Sequence, residues 1–327
     1  MTNAIEEIAD AQCLLVIGSN TTVAHPVLAL QIKRAVSKGA KLIVANPREI
    51  DLCRYADLHL QLIPGTDVPL VMGMVKTILD EGLWNREFVA ERCEDFAQLE
   101  ESLRSFGMAE ASQITGVPIE LIQQAARLYA TSEPSSILYT LGITQHTHGT
   151  DNVFALANLA MATGQIGKHA SGVNPLRGAN NVQGACDMGS LPPFFPAYQQ
   201  VADPGVREKF SKAWGVSLSD EQGLTIEEMV QAAHEGSLKA VYVMGENPAL
   251  SDPDVNHVRA AFGKLEFLVV QDIFLTETAQ LADIVLPAAT FAEKEGTFTN
   301  TERRVQRVRQ AIAPVGEARQ DWAIISE

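Results

Sequence analysis

Short β-branched apolar runs recur along the chain, and each stops at a cluster of turn residues. They are residues 13–17 before Gly18-Ser19-Asn20, 41–45 before Asn46-Pro47-Arg48, 58–63 before Pro64-Gly65-Thr66-Asp67, and 137–141 before Gly142-Ile143-Thr144-Gln145. Between them, residues 26–38, 68–81, 86–89 and 118–130 carry apolar side chains at helical spacing. Pro118 suits a helix start, where its missing N–H leaves nothing unpaired. Near-continuous apolar strands need cover on both faces, so strands alternating with helices pack as a parallel sheet between helical layers. The pattern predicts a doubly wound α/β domain over residues 1–179.

A stretch rich in Pro, Gly and Asn follows, from residue 180 to about 220, without strand signals. Loops of that length inside a compact protein are usually functional or linkers. The strand–helix rhythm resumes at 239–244 before Gly245-Glu246-Asn247-Pro248, at 267–270 before Gln271-Asp272, and at 283–286 before Pro287-Ala288-Ala289-Thr290. This predicts a second, smaller α/β domain over 180–290, with 291–327 as a connecting tail. The expected fold class is α/β with two doubly wound parallel-sheet domains.

Hydrophobic residues make up 46% of the chain and charged residues 20%, enough for sizeable cores and unlike a disordered chain. A formal net charge of −15 repels nucleic acid and anionic membrane, and an anionic substrate would need a local cation. No apolar run reaches the roughly 20 residues that span a bilayer, and the acidic first ten residues do not read as a signal peptide. The expected location is the cytoplasm. Cys13, Cys53, Cys93 and Cys186 show no metal-ligand spacing, so no metal site is expected from them. They read as buried free thiols in a reducing compartment.

In an open parallel sheet, ligands bind beyond the carboxyl ends of the strands. Gly18-Ser19-Asn20-Thr21 and Gly65-Thr66 offer small residues and free N–H groups for phosphate, and Asn46 and Arg48 stand where nucleotide folds read a ribose or base. The first domain therefore suits a nucleotide with a diphosphate, against the plain alternative that these are turn residues. Neither the G-x-G-x-x-G dinucleotide fingerprint nor the P-loop pattern is present, which argues against an ordinary nicotinamide dehydrogenase.

Residues 172–189 combine glycines and amides with one cation, Arg177, in a low-charge setting. Such a run lets the backbone wrap a polar ligand, and a guanidinium fork suits a carboxylate. An amide-rich linker with a surface ion pair is the plain alternative. The run NPLRGANNVQGACDMG resembles the signature of formate dehydrogenase α subunits of the bis-pterin molybdenum enzyme family. IGSNTTVAHPV, VANPRE, PGTDV, GITQHTHGTDN, VMGENP, VVQDIFLTETAQLADIVLPA, EKEGTFTNTERRVQ and QDWAIISE extend the resemblance along nearly the whole chain in family order.

The resemblance implies one molybdenum or tungsten ion held between two molybdopterin guanine dinucleotides. Asn20, Asn46, Arg48, Gly65 and Asp67 would hold the guanine nucleotide of one. Leu141, Gln145, Gly178 and Ala179 would line its route toward the metal, and Asn247, Ser251, Gln271, Ala288 and Asp321 would serve the second. Asn46 replaces an acidic residue often found there and Ala288 a common serine, which weakens the hydrogen bonds expected at both. Arg177 matches the substrate arginine, a local cation for formate in an acidic protein. Of His25, His146, His148 and His169, only His146 is expected near the pterins.

The resemblance also implies a full-length parent with a cysteine-rich domain for a four-iron four-sulfur cluster, a cysteine or selenocysteine metal ligand, and a closing final domain. None of these is expected within this sequence, so the chain alone is expected to be inactive, and no metal ligand is assigned in it. The implied partners are formate and electron-transfer subunits. Two rivals are another molybdopterin oxidoreductase such as nitrate reductase, which the Arg177 segment argues against, and a non-catalytic scaffold related to the large subunit of NADH dehydrogenase. The polar strand ends favour a cofactor-binding ancestor over the scaffold.

Overall fold

The computed structural model describes all residues 1–327 as an α/β protein with parallel sheets, divided into two compact units. Unit one comprises residues 1–180 and 301–304, and unit two residues 181–300 and 305–327. Of the last stretch, residues 291–300 and 305–327 fall in unit two and residues 301–304 in unit one.

In unit one, strands β1 (Cys13–Ile17), β2 (Lys41–Ala45), β3 (Leu58–Leu60), β4 (Ser135–Tyr139) and β5 (Gly172–Pro175) form one sheet in the order β3-β2-β1-β4-β5. Every pairing is parallel. All five residues of the central strand are buried, as a sheet covered on both faces requires. Alternate side chains serve two cores. Cys13, Leu15, Ile17, Ile43 and Ala45 pack under helices Asp67–Asp80, Ile119–Thr131 and Gly149–Ala162. Leu14, Val16, Leu42, Val44 and Leu138 pack under helix Pro26–Ser37 and the turn Ile5–Asp10. Each fully buried Leu or Ile contributes about 1.5–3 kcal/mol over leaving it in water.

The chain runs outward from β1 through β2 to β3, then returns to the other side of β1 for β4 and β5. That reversal places a topological switch point between β1 and β4. Registers align the strand ends, with Ile17 beside Ala45 and Tyr139, Ala45 beside Leu60, and Tyr139 beside Pro175. The loops that follow therefore leave one edge of one sheet.

Four sequence readings need correction. The fourth strand is Ser135–Tyr139 rather than 137–141, and Leu141 opens a short helix. Strand β5 has no apolar run to announce it, yet it pairs at the sheet edge, where Pro175 is tolerated. Residues 180–220 are not featureless, since they contain helices Val182–Asp187 and Pro204–Trp214 and a small ribbon, β6 (Phe194–Phe195) with β7 (Gln199–Gln200). All four cysteines are free, but only Cys13 is buried, because the other three lie outside the sheet.

In unit two, β8 (Ala240–Met244), β9 (Phe267–Asp272) and β10 (Ile284–Pro287) form a parallel sheet in the order β10-β9-β8. Val243, Leu268 and Val270 share a core with Val230 and Ala233 of helix Ile226–Glu235 and with Val258 and Phe262 of helix Val255–Phe262. Thr225 caps the first of these helices reciprocally with Glu228, which explains its sharp start. An antiparallel ribbon follows, β11 (Gly296–Thr299) with β12 (Val305–Val308). No helix is long and apolar enough to cross a membrane.

Candidate functional site

At the switch point of unit one, two glycines let the strand tips meet. The Gly142 N–H donates to the Gly18 carbonyl at 3.1 Å, and the Thr140 hydroxyl donates to the same oxygen at 2.7 Å. Gly18 has φ +58°, and a Cβ there would lie 2.7 Å from the Gly142 carbonyl carbon. The β1–β4 crevice thus depends on bare backbone on both sides.

Beyond β1, Ser19 and Thr21 are buried with their hydroxyls 2.9 Å apart, and half-buried Asn20 accepts from the Thr22 hydroxyl at 3.2 Å. Beyond β2, buried Asn46 closes a local turn. Its Oδ1 accepts from the Arg48 N–H at 3.0 Å, its Nδ2 donates to the Ser19 carbonyl at 3.4 Å, and its own carbonyl accepts from His59 Nε2 at 3.0 Å. Asn46 therefore ties the β1 and β2 tips together and leaves the Arg48 side chain exposed. Beyond β3, Pro64 and Gly65 occupy the centre of a turn closed by the Thr66 N–H to the Ile63 carbonyl at 3.2 Å, with Gly65 at φ +83° as a type II turn requires.

That turn delivers Asp67 to the first position of helix Asp67–Asp80. Its side chain is only 7% exposed, and its nearest cation-capable neighbour is His146, with Nε2 3.9 Å away. Burial pushes the Asp67 carboxyl above the usual carboxylate range, while His146, its own N–H and His148 pull the other way. No side chain donates a hydrogen bond to it, so the buried carboxylate keeps acceptor capacity unspent. His146 is held by its Nε2–H donating to the Gly142 carbonyl at 2.8 Å. Because a carbonyl only accepts, that nitrogen carries the proton.

Leu141 and Gln145 are exposed at the two ends of the short helix after β4. Arg177, Gly178 and Ala179 are exposed just past β5. Burial pushes the phenol of Tyr139, the last residue of β4, up, and the Arg177 cation offsets part of that. Unit one thus brings Asn20, Asn46, Arg48, Gly65, Asp67, Leu141, Gln145 and the Arg177 run to the carboxyl edge of one sheet. It places Asp67 beside His146, but holds Asn46 mainly in structural bonds.

The strand tips of unit two carry a second polar group. Gln271, fully buried near the end of β9, donates from Nε2 to Asp321 Oδ1 at 2.8 Å and accepts at Oε1 from the Tyr242 hydroxyl. Lys294 pairs with the other Asp321 oxygen. Asp321 arrives there because residue 319 continues the sheet. Arg319 bridges Ala288 in parallel, with the Ala289 N–H donating to the Arg319 carbonyl at 2.7 Å. Ala288 is buried and contributes backbone only. Asn247, past β8, ties its loop to the one after β9: Oδ1 accepts from the Thr278 N–H at 3.1 Å and hydroxyl at 2.7 Å, and Nδ2 donates to Glu277 at 2.7 Å. Ser251 donates to the Asn247 carbonyl at 3.1 Å. Tyr242 and Lys294 escaped the sequence reading. The alternation along β8 and the EKEG run mark them as polar groups near strand ends, but nothing in the sequence couples them to Gln271. No group of three or more His, Cys, Asp or Glu residues is arranged to hold a metal ion.

The family model for molybdopterin oxidoreductases matches residues 1–327. An F420-dependent formate dehydrogenase subunit alpha from Methanocaldococcus jannaschii is 54% identical over 327 residues, covering 100% of this chain and 48% of the relative. Formate dehydrogenase H from Escherichia coli is 44% identical over 328 residues, covering 100% of this chain and 46% of the relative. Among solved structures, acetylene hydratase from Pelobacter acetylenicus superposes with a TM-score of 0.77 at 25% identity, covering 97% of this chain and 46% of that one. The chain spans about half the length of the curated relatives it matches.

Proposed function

The chain belongs to the molybdopterin oxidoreductase family, and on that premise we propose that it is the cofactor-cradling portion of a formate dehydrogenase α subunit. The whole protein would oxidise formate to CO2 and pass two electrons to partner subunits. The observation that carries the reading is the buried carboxylate of Asp67, at the start of the helix after β3 and beside His146 of the loop after β4, with no side-chain hydrogen-bond donor of its own. A guanine edge carries adjacent N–H donors that such a group accepts, so the residues present fit a guanine dinucleotide.

Asn20, Arg48, Gly65 and Asp67 would hold one such nucleotide, with Asn46 fixing the loop around it. Leu141, Gln145, Gly178 and Ala179 would flank its path. Gln271 and Asp321 would hold the second, with Asn247, Ser251 and Ala288 shaping the loops. When bound, the bis-pterin molybdenum or tungsten centre supplies the two-electron acceptor. The Arg177 guanidinium binds the formate carboxylate through paired N–H donors and sets the direction of its C–H bond. Its positive charge offsets the repulsion between a formate anion and a protein of net charge −15. This stretch by itself is proposed to be inactive, and the cluster and the cysteine or selenocysteine ligand would belong to the remainder of the parent.

The test is to produce the full-length protein together with cofactor-assembly enzymes and measure metal and acid-released guanine. About two guanines per metal and formate-dependent dye reduction are expected. Protein that is folded but free of guanine would instead match the scaffold reading.

A further inference from the structure

We propose that His25 and Thr301 are positioning residues for Arg177, fixing from two sides the backbone that presents its guanidinium. The proposal rests on the reading of Arg177 as the formate-binding cation. Arg177 lies past the end of an edge strand and is followed by Gly178 and Ala179, so its own stretch of chain restrains it weakly. Two residues remote in sequence supply the restraint.

Thr301 acts as one point of a missing neighbouring strand. Its hydroxyl donates to the Pro175 carbonyl at 2.9 Å and accepts from the Arg177 N–H at 3.1 Å. The intervening Leu176 N–H turns the other way, to the Tyr139 carbonyl of β4 at 2.9 Å. Residues 175 and 177 direct their groups to the free edge as strand alternation requires, and one hydroxyl satisfies both.

His25 holds the other end of the residue. It sits at the start of helix Pro26–Ser37, and its Nε2 lies 2.8 Å from the Arg177 carbonyl. A carbonyl only accepts, so Nε2 carries the proton and the tautomer is set. The Nδ1 atom is buried with no partner, which makes the Arg177 carbonyl the polar tie that orients the ring. The contacts span 152 and 124 residues of sequence, and both lie within unit one. Neither His25 nor Thr301 is needed to touch formate. Their effect is to remove backbone freedom from a residue whose fork must meet a small planar anion in one orientation.

The experiment uses the full-length cofactor-loaded enzyme, with formate as substrate and nitrate as a planar anion that cannot donate hydride. His25→Phe and Thr301→Val should each raise the formate KM and the nitrate inhibition constant about tenfold, with metal and guanine per chain unchanged. His25→Gln and Thr301→Ser, which restore a donor and a hydroxyl, should return both constants to within about twofold. A merely structural role would lower the melting temperature and leave both constants alone. If Arg177→Lys raises the constants while His25→Phe and Thr301→Val do not, the positioning proposal is wrong and the Arg177 reading stands. If Arg177→Lys leaves them unchanged, the Arg177 reading fails and takes this proposal with it. Should His25→Phe not fold, Thr301→Val and Thr301→Ser decide.

Discussion

Gln271 Nε2 donates to Asp321 Oδ1 at 2.8 Å, joining the middle strand of the second sheet to the start of a helix 50 residues further on. Gln271 is fully buried and its other end accepts from Tyr242, so its amide orientation is fixed from both sides. Replacing it with leucine leaves the Tyr242 hydroxyl without its acceptor and Asp321 with Lys294 alone. Gln271→Leu should cost about 2–4 kcal/mol of stability, seen as a lower denaturation midpoint at unchanged slope. On the proposed function it should also halve the guanine bound per chain, because the first-nucleotide residues lie in unit one. Retention of both stability and guanine content would show that the Gln271–Asp321 link is incidental.

The meeting of Gly18 and Gly142 leads to a second expectation. A Cβ on Gly142 would sit 2.5 Å from the Gly18 carbonyl oxygen, and one on Gly18 would add the strain of φ +58°. Backbone cannot yield as a flexible side chain can. Gly142→Ala should therefore destabilise by about 3 kcal/mol or more by forcing the β1 and β4 tips apart. Thermal unfolding measures it, and Gly178→Ala, where a Cβ meets nothing within 4 Å, is the matched control that should change little.

Cys13 opens the central strand and is fully buried, and burial pushes its thiol up to about 12. The thiolate is the reactive form, so at pH 8 Cys13 should resist iodoacetamide until the protein unfolds. Cys53, Cys93 and Cys186 are only partly buried and should label from the native state. Mass spectrometry of peptides along a urea series checks this. Labelling of Cys13 at the rate of the others in native protein would contradict the packing of the first sheet.

The first sheet was legible where physics writes itself into sequence. The runs at 13–17 and 42–45 are apolar throughout because helices cover both faces of the sheet, and they become β1 and, with exposed Lys41 at its start, β2. Strand β5 was not legible, because an edge strand needs partners on one side only and so tolerates Gly172, Asn174 and Pro175. Residues 180–220 read as loop because helix Pro204–Trp214 has no buried residue and so shows no clear apolar stripe. At the site, the strand-end rule pointed to the Gly18 and Gly65 turns and to Asn46 and Arg48, while Asp67, Asn247 and Gln271 were read from the resemblance. Neither showed that Asn247 is spent on Thr278 and Glu277, or that no side chain donates a hydrogen bond to Asp67. Such pairings depend on side chains that only the fold brings together.

Asp67 links stability to recognition in opposite directions. Burial raises its carboxyl in the folded chain, so the folded state binds a proton more tightly than the unfolded state. Stability from this group is therefore greatest below the ordinary carboxylate value, falls as pH rises toward the raised one, and stays reduced above it. Asp67→Asn removes that slope. At pH 7 the variant should be more stable, a gain that shrinks to nothing as pH falls below the ordinary carboxylate range. Thermal melts from pH 3 to 8 resolve it. Recognition should move the other way, because an amide has one acceptor and presents a donor where guanine also donates. In full-length protein, Asp67→Asn should lower cofactor retention about tenfold or more and erase any preference for guanosine over inosine diphosphate, whose base lacks the 2-amino donor. A variant that is stabilised as described yet keeps that preference would mean that another group reads the base. Loss of the preference together with the stability gain is expected only if the carboxylate is held buried without a side-chain hydrogen-bond donor in order to meet the nucleotide.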